Sequence, residues 1–109
     1  MWQRTEKGKT VGTEGPHAGR ISRDETRDLA RIFMEVGGND APFAITCSIE
    51  GWMVHCRFNN SEQAAAADFE RMRDALTLIL DLLPLPGDAV TSKDYLATAA
   101  IAKFVESFP

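Results

Sequence analysis

Phe43-Ala44-Ile45-Thr46-Cys47-Ser48-Ile49-Glu50-Gly51-Trp52-Met53-Val54-His55-Cys56-Arg57-Phe58 decides the fold class. Phe43, Ile45, Cys47 and Ile49 alternate with Ala44, Thr46 and Ser48. Trp52, Val54, Cys56 and Phe58 alternate with Met53, His55 and Arg57. A period of two is the mark of a strand with one buried face. Glu50-Gly51 between the runs predicts a β-hairpin with a two-residue loop. That loop pairs 49 with 52, 47 with 54, 45 with 56 and 43 with 58. In this register every apolar residue lies on one face.

Helices are predicted on both sides of the hairpin. Upstream, Ser22-Arg23-Asp24-Glu25 has the form of a capping box, Ser with Glu three residues on. Leu29, Ile32, Phe33 and Val36 then recur at helical spacing, and Gly37-Gly38 supplies a stop. The expectation is a helix over 23–36. Downstream, Asn59-Asn60-Ser61 offers N-cap residues, with Gln63 three after Asn60. Phe69, Met72, Leu76, Ile79, Leu80 and Leu83 form one apolar stripe. Asp68, Glu70, Arg71, Arg73, Asp74 and Asp81 occupy the other positions, read as a solvated face. Pro84 ends this helix and Leu85-Pro86-Gly87 predicts a turn. A last helix begins near Asp88, Thr91 or Ser92, with Leu96, Ala97, Ala100, Ile101, Phe104, Val105 and Phe108 as its stripe.

The expected architecture is therefore α+β: helix, antiparallel β-hairpin, long helix and C-terminal helix, the helices packed on one face of a small antiparallel sheet. The expected core is Phe43, Ile45, Ile49, Val54, Phe58, Phe69, Met72, Leu76, Ile79, Leu96, Ile101 and Phe104. A two-stranded ribbon leaves both edges open. A strand from the N-terminal segment, a second copy of the chain or a partner protein would have to cover them.

The chain has 109 residues and a net charge of −4. Residues 1–20 hold Arg4, Lys7, Lys9 and Arg20 against Glu6 and Glu14, so their net charge is +2 and that of residues 21–109 is −6. Five Gly or Pro residues and few apolar groups mark 1–20 as a flexible N-terminal leader. Residues 21–109 read as a single α+β domain. No apolar run reaches the roughly 18 to 20 residues of a membrane span, and no secretory signal is read at the N-terminus. With only Cys47 and Cys56, a disulfide-built scaffold is not expected, and the reading is a cytoplasmic protein.

Chemical motifs are sparse. Cys47, Cys56, His17 and His55 lack the close spacing of a zinc site, so no metal or other cofactor is expected. His55 and Cys56 are adjacent on a strand and diverge, which argues against a Cys–His nucleophile pair. Both thiols are read as small core residues. Gly8-Lys9-Thr10 lacks the upstream glycine of a phosphate loop. The outer hairpin face is the surface singled out for partner binding: Thr46 and Ser48, small, beside Met53, His55 and Arg57. These features point to a small acidic non-enzymatic protein-binding module, an inhibitor, immunity-type or adaptor protein that masks a partner's surface, and to a homodimer. The alternative is a nucleic-acid-associated accessory protein using the basic leader. The acidic body argues against direct nucleic-acid binding.

Overall fold

The computed structural model describes residues 1–84 and 92–109, with the side chains of 95–109 in the second segment. The turn expected at Leu85-Pro86-Gly87 and the helix starts at Asp88 and Thr91 lie outside the described residues. The fold is α+β: a five-stranded antiparallel sheet with two helices on one face. The strands are β1 (Gln3–Arg4), β2 (Arg20–Arg27), β3 (Ala30–Val36), β4 (Phe43–Ile49) and β5 (Met53–Asn59). They lie side by side in chain order. A short 3-10 turn, Thr5–Gly8, follows β1, and the helices are α1 (Glu62–Leu82) and α2 (Ser92–Ser107).

The helix expected over 23–36 is instead the β2–β3 hairpin, turning at Asp28-Leu29. The apolar residues that suggested a helical stripe are divided between the two faces of β3. Ala30, Ile32 and Met34 face the helices, while Phe33 and Glu35 are buried on the other side. A strand buried on both faces loses its alternation, and a short apolar run then cannot be told from a helix by period alone. The acidic residues of the supposed capping box serve the sheet. Asp24 and Glu25 are taken up by arginines, and Gly37, at φ 76, closes the β3–β4 connection with its N–H on Pro42 O at 2.9 Å. Asp28 takes φ 51 at the hairpin turn, a region that Asp enters more readily than most residues. A bulge at Ser22 lets Ile21 oppose Glu35 while Arg23 opposes Met34.

The β4–β5 hairpin forms, but one residue out of the expected register. Ile49 pairs with Met53, Cys47 with His55, Ile45 with Arg57 and Phe43 with Asn59. The cause is the turn. Trp52 N–H bonds Ile49 O at 2.8 Å, and Gly51 sits at φ 81. A turn with positive φ at its third residue asks for glycine there, so Trp52 becomes the turn's last residue and pairing starts at Met53. A one-residue slip moves every β5 side chain to the opposite face. Val54 and Phe58, expected in the core, are 80% and 48% exposed. Cys56 leaves the core with them. Leu96 is also exposed, and Phe43 and Ile101 are only partly buried. The remaining expected core residues, Ile45, Ile49, Phe69, Met72, Leu76, Ile79 and Phe104, are buried.

α1 begins one residue later than the Asn60 box suggested. Ser61 is its N-cap and accepts from Ala64 N–H at 3.2 Å, and Leu83 before Pro84 ends it. Its charged side does not merely meet solvent. Glu70 and Arg73 join Arg23 and Glu25 of β2: Arg23 donates to Glu70 at 2.6 Å and to Glu25 at 2.8 Å, and Arg73 donates to Glu25 at 2.7 Å and also to Glu70. Asp68, almost fully buried, accepts from Arg57 of β5 at 2.7 Å and from Arg71. Arg23 also lies over the Phe69 ring, 4.1 Å from its centre. These pairs tie the sheet to α1 where the apolar contact ends.

Residues 1–20, expected to be a flexible leader, are placed along the sheet. Trp2 donates from its indole to Thr77 of α1 at 2.9 Å, and β1 pairs with β2. The open edge of β4 is covered by the chain's own β3, and among the described residues β5 is the last strand of the sheet.

Two outcomes follow. Leu76 is fully buried against the sheet, so Leu76→Ala lowers unfolding free energy by about 2–5 kcal/mol in urea titration. The second concerns acid. Burial pushes the Asp24 carboxyl upward, but the bidentate Arg31 and the Thr5 hydroxyl outweigh it, and its pKa lies below the ordinary value. Asp68 is lowered in the same way, burial being overcome by Arg57 and Arg71. A depressed carboxyl stabilises the fold fully above its unfolded pKa, and that contribution is lost as pH falls through the folded value. Urea midpoints therefore stay level from about pH 7 to 5 and fall below about pH 4. Asp24→Asn flattens that fall.

Candidate functional site

The sheet face away from the helices carries the polar chemistry. From β2 it presents Asp24 and Thr26, from β3 Arg31, Phe33 and Glu35, from β4 Ala44, Thr46 and Ser48, and from β5 Val54, Cys56 and Phe58. The segment 5–19 lies over the β2–β3 part of this face. Asp24, 2% exposed, accepts from Arg31 Nε at 3.0 Å and Nη2 at 2.6 Å, and from Thr5 Oγ1 at 2.6 Å.

Glu35 is the centre of the second half. Its side chain is fully buried, and Oε1 accepts from the backbone N–H groups of His17 and Gly19, each at 3.0 Å. Oε2 has no partner. The N-terminal loop can come this close because of glycine. A Cβ on Gly15 would stand 2.7 Å from the Glu35 carboxyl, and one on Gly38 would stand 2.5 Å from His17 O. Asn39 N–H also bonds His17 O at 2.9 Å. His17 is thus gripped through both its N–H and its C=O, by β3 and by the β3–β4 loop.

This grip aims the imidazole at β5. His17 Nδ1 is 2.8 Å from Asp40 Oδ2, and Nε2 is 3.4 Å from Cys56 Sγ. With Nδ1–H donating to the Asp40 carboxylate, Nε2 is left as the acceptor for the Cys56 S–H. The ring packs edge-on against Phe58, with centres 5.2 Å apart. Thr46 Oγ1 donates to Cys56 Sγ at 3.7 Å. Burial pushes the Cys56 thiol up, and the Glu35 and Asp40 carboxylates add to that, against the Thr46 hydroxyl. The resting Cys56 is a neutral thiol within hydrogen-bond reach of the His17 imidazole. Cys47, on the helix side, is buried and its thiol is pushed up to about 12, burial being the main cause.

The five residues expected to form one partner-binding surface are split by the register. Thr46 and Ser48 lie on the outer face. Met53, His55 and Arg57 face the helices: Met53 packs against the core, His55 meets Phe108 O and the Phe104 ring, and Arg57 holds Asp68 and donates to Pro109 O at 3.2 Å. His17, weighed in the sequence only as one of four candidate metal ligands, is the imidazole that reaches Cys56; the sequence paired Cys56 as a nucleophile with its neighbour His55 alone, whereas the contact comes from 39 positions away. Glycines at 15, 19 and 38 were the only trace of that close packing in the sequence. Among the described residues, no group of three or more His, Cys, Asp or Glu is arranged to hold a metal ion, and no helix is long and apolar enough to cross a membrane.

Compared with protein-family models, curated proteins and solved structures, the chain matches none.

The Glu35 grip is testable by itself. Glu35→Ala strands two buried N–H donors and opens a hole beneath the loop, so it costs about 2–4 kcal/mol in urea titration. Glu35→Gln keeps an acceptor for both donors and costs less than half as much.

Proposed function

We propose that this chain is a non-enzymatic protein-binding module whose docking element is the free edge of β5. One observation carries the reading: β5 ends the sheet with seven residues, no proline, and Val54 and Phe58 side chains standing exposed on its outer face. Alternate N–H and C=O groups of an edge strand point away from the sheet and are open to another strand. Natural edges are commonly blunted by charge, proline or extreme shortness, and the outer side chains here, Val54, Cys56 and Phe58, carry no charged group.

The mode that fits is strand addition. An extended segment of the partner hydrogen-bonds to β5, and its alternate apolar side chains cover Val54 and Phe58, with Thr46 and Ser48 at the border. A second copy of the chain meets the same requirements. Two β5 strands related by a two-fold axis run antiparallel and join two sheets into one of ten strands. In this reading the homodimer is the resting form of the edge. The masked surface of a foreign partner is then a strand or extended loop.

Light scattering from 1 to 500 μM tests the self-pairing. The expected mass rises from that of the 12.0 kDa chain toward twice that value. Val54→Lys returns it to the monomer mass, with unfolding free energy within about 0.5 kcal/mol of the parent because the site is exposed. A parent that stays at the monomer mass throughout overturns the self-pairing.

A further inference from the structure

We propose that Cys56 is an acyl-acceptor thiol: His17 takes its proton, Asp40 holds His17 in the tautomer that can do so, and the electrophile is a thioester with an apolar acyl chain. This goes beyond the docking role and does not depend on it. The geometry is that of an activated nucleophile, with the base within reach of the sulfur and a third group orienting the base. Nε2 stands 3.4 Å from Sγ, and Nδ1 stands 2.8 Å from the Asp40 carboxylate. The rest of the fold maintains this line. Glu35 Oε1 and Asn39 N–H fix the His17 backbone, and Gly38 leaves it room.

The chemistry is acyl capture because of what else the sheet places nearby. A disulfide within the chain requires a second thiol on the same face. Cys47 lies on the helix side, paired with His55 in the register that puts Cys56 opposite Thr46. An acyl thioester needs only what is present. The Cys56 proton passes to His17 Nε2 as Sγ bonds to the carbonyl carbon. The tetrahedral adduct then collapses, the original C–S bond breaks, and the leaving thiolate takes the proton back from His17. The products are S-acyl-Cys56 and a free thiol, with no oxidant or reductant involved. The preference for an apolar chain comes from Val54 and Phe58, which stand two residues either side of Cys56 on its own face, about 7 Å away along the strand. Ala44, Thr46 and Ser48, all small, lie beside them on β4.

The groups facing His17 are Asp40 from the β3–β4 loop, Cys56 from β5 and Glu35 from β3, whose carboxylate receives the His17 backbone N–H. Protonation of the imidazole blocks the transfer. The pH profile of the acylation rate therefore carries an ionisation of a base in addition to that of the thiol itself.

The experiment uses the full chain with the octanoyl thioester of N-acetylcysteamine, followed by intact-mass spectrometry. One acyl group is expected, located on Cys56 by peptide mapping and released by neutral hydroxylamine. Cys56→Ser abolishes it and Cys47→Ser leaves its rate unchanged. His17→Gln slows it by at least about 100-fold, the lower end of what a positioned base contributes. Asp40→Asn slows it less. Circular dichroism shows whether each variant keeps the parent fold. The pH profile of the native protein needs no variant at all. Acylation whose pH profile follows thiol ionisation alone, with no second ionisation, overturns the proposal. So does a folded His17→Gln protein that reacts at the parent rate, or labelling that survives Cys56→Ser.

Discussion

The turn at Glu50-Gly51 fixes which side of the sheet each β5 residue occupies, and the molecule's chemistry depends on that choice. Gly51 adopts a positive φ, Trp52 closes the turn on Ile49, and pairing begins one residue later than a two-residue loop would set it. Arg57 then points to α1, where it meets the buried Asp68, and His55 points to the C-terminal end of α2. Cys56 points the other way, into reach of His17. The opposite register would bury Val54 and Phe58, but it would also strip Asp68 of Arg57. In that register Asp68 would keep only Arg71, and a nearly buried carboxylate would lose one of its two arginine partners.

The two faces of the sheet are finished by different means. On the helix side, Ile32, Ile45, Cys47 and Ile49 meet Phe69, Met72 and Leu76 in an apolar layer bordered by arginine–carboxylate pairs. On the other side lies a glycine-rich segment, and its backbone donors are met by Glu35. A buried carboxylate that receives two N–H groups holds a loop that has little apolar area of its own. The same arrangement delivers His17 to the face where Cys56 and the free edge meet.

The docking edge and the reactive thiol share β5 and its exposed Val54 and Phe58 side chains, but differ in the polar groups they use. Strand addition uses backbone N–H and C=O groups in the plane of the sheet. The thiol and its imidazole stand above that plane, with Val54 and Phe58 on either side. An acyl group there would change the apolar area offered beside the edge without occupying the hydrogen-bonding groups themselves.

The sequence by itself determined the α+β class, the β4–β5 hairpin, the length and inward stripe of α1, and a last helix reaching Phe104 and Phe108. Each of these rests on local signals: alternation, a Gly turn, a Ser cap, a terminal Pro. Three things needed the tertiary structure. Residues 23–36 carry both a capping box and an apolar repeat at helical spacing, and only the burial of β3 on both faces makes them a hairpin. The β5 register hung on a single turn conformation, because Trp52 and Met53 are both apolar and either can begin the pairing. The site itself joins His17, Asp40 and Cys56 from three separate parts of the chain, and no pattern within any one of them signals the others. Long-range packing decided it, since Glu35 and three glycines bring the N-terminal segment onto the sheet.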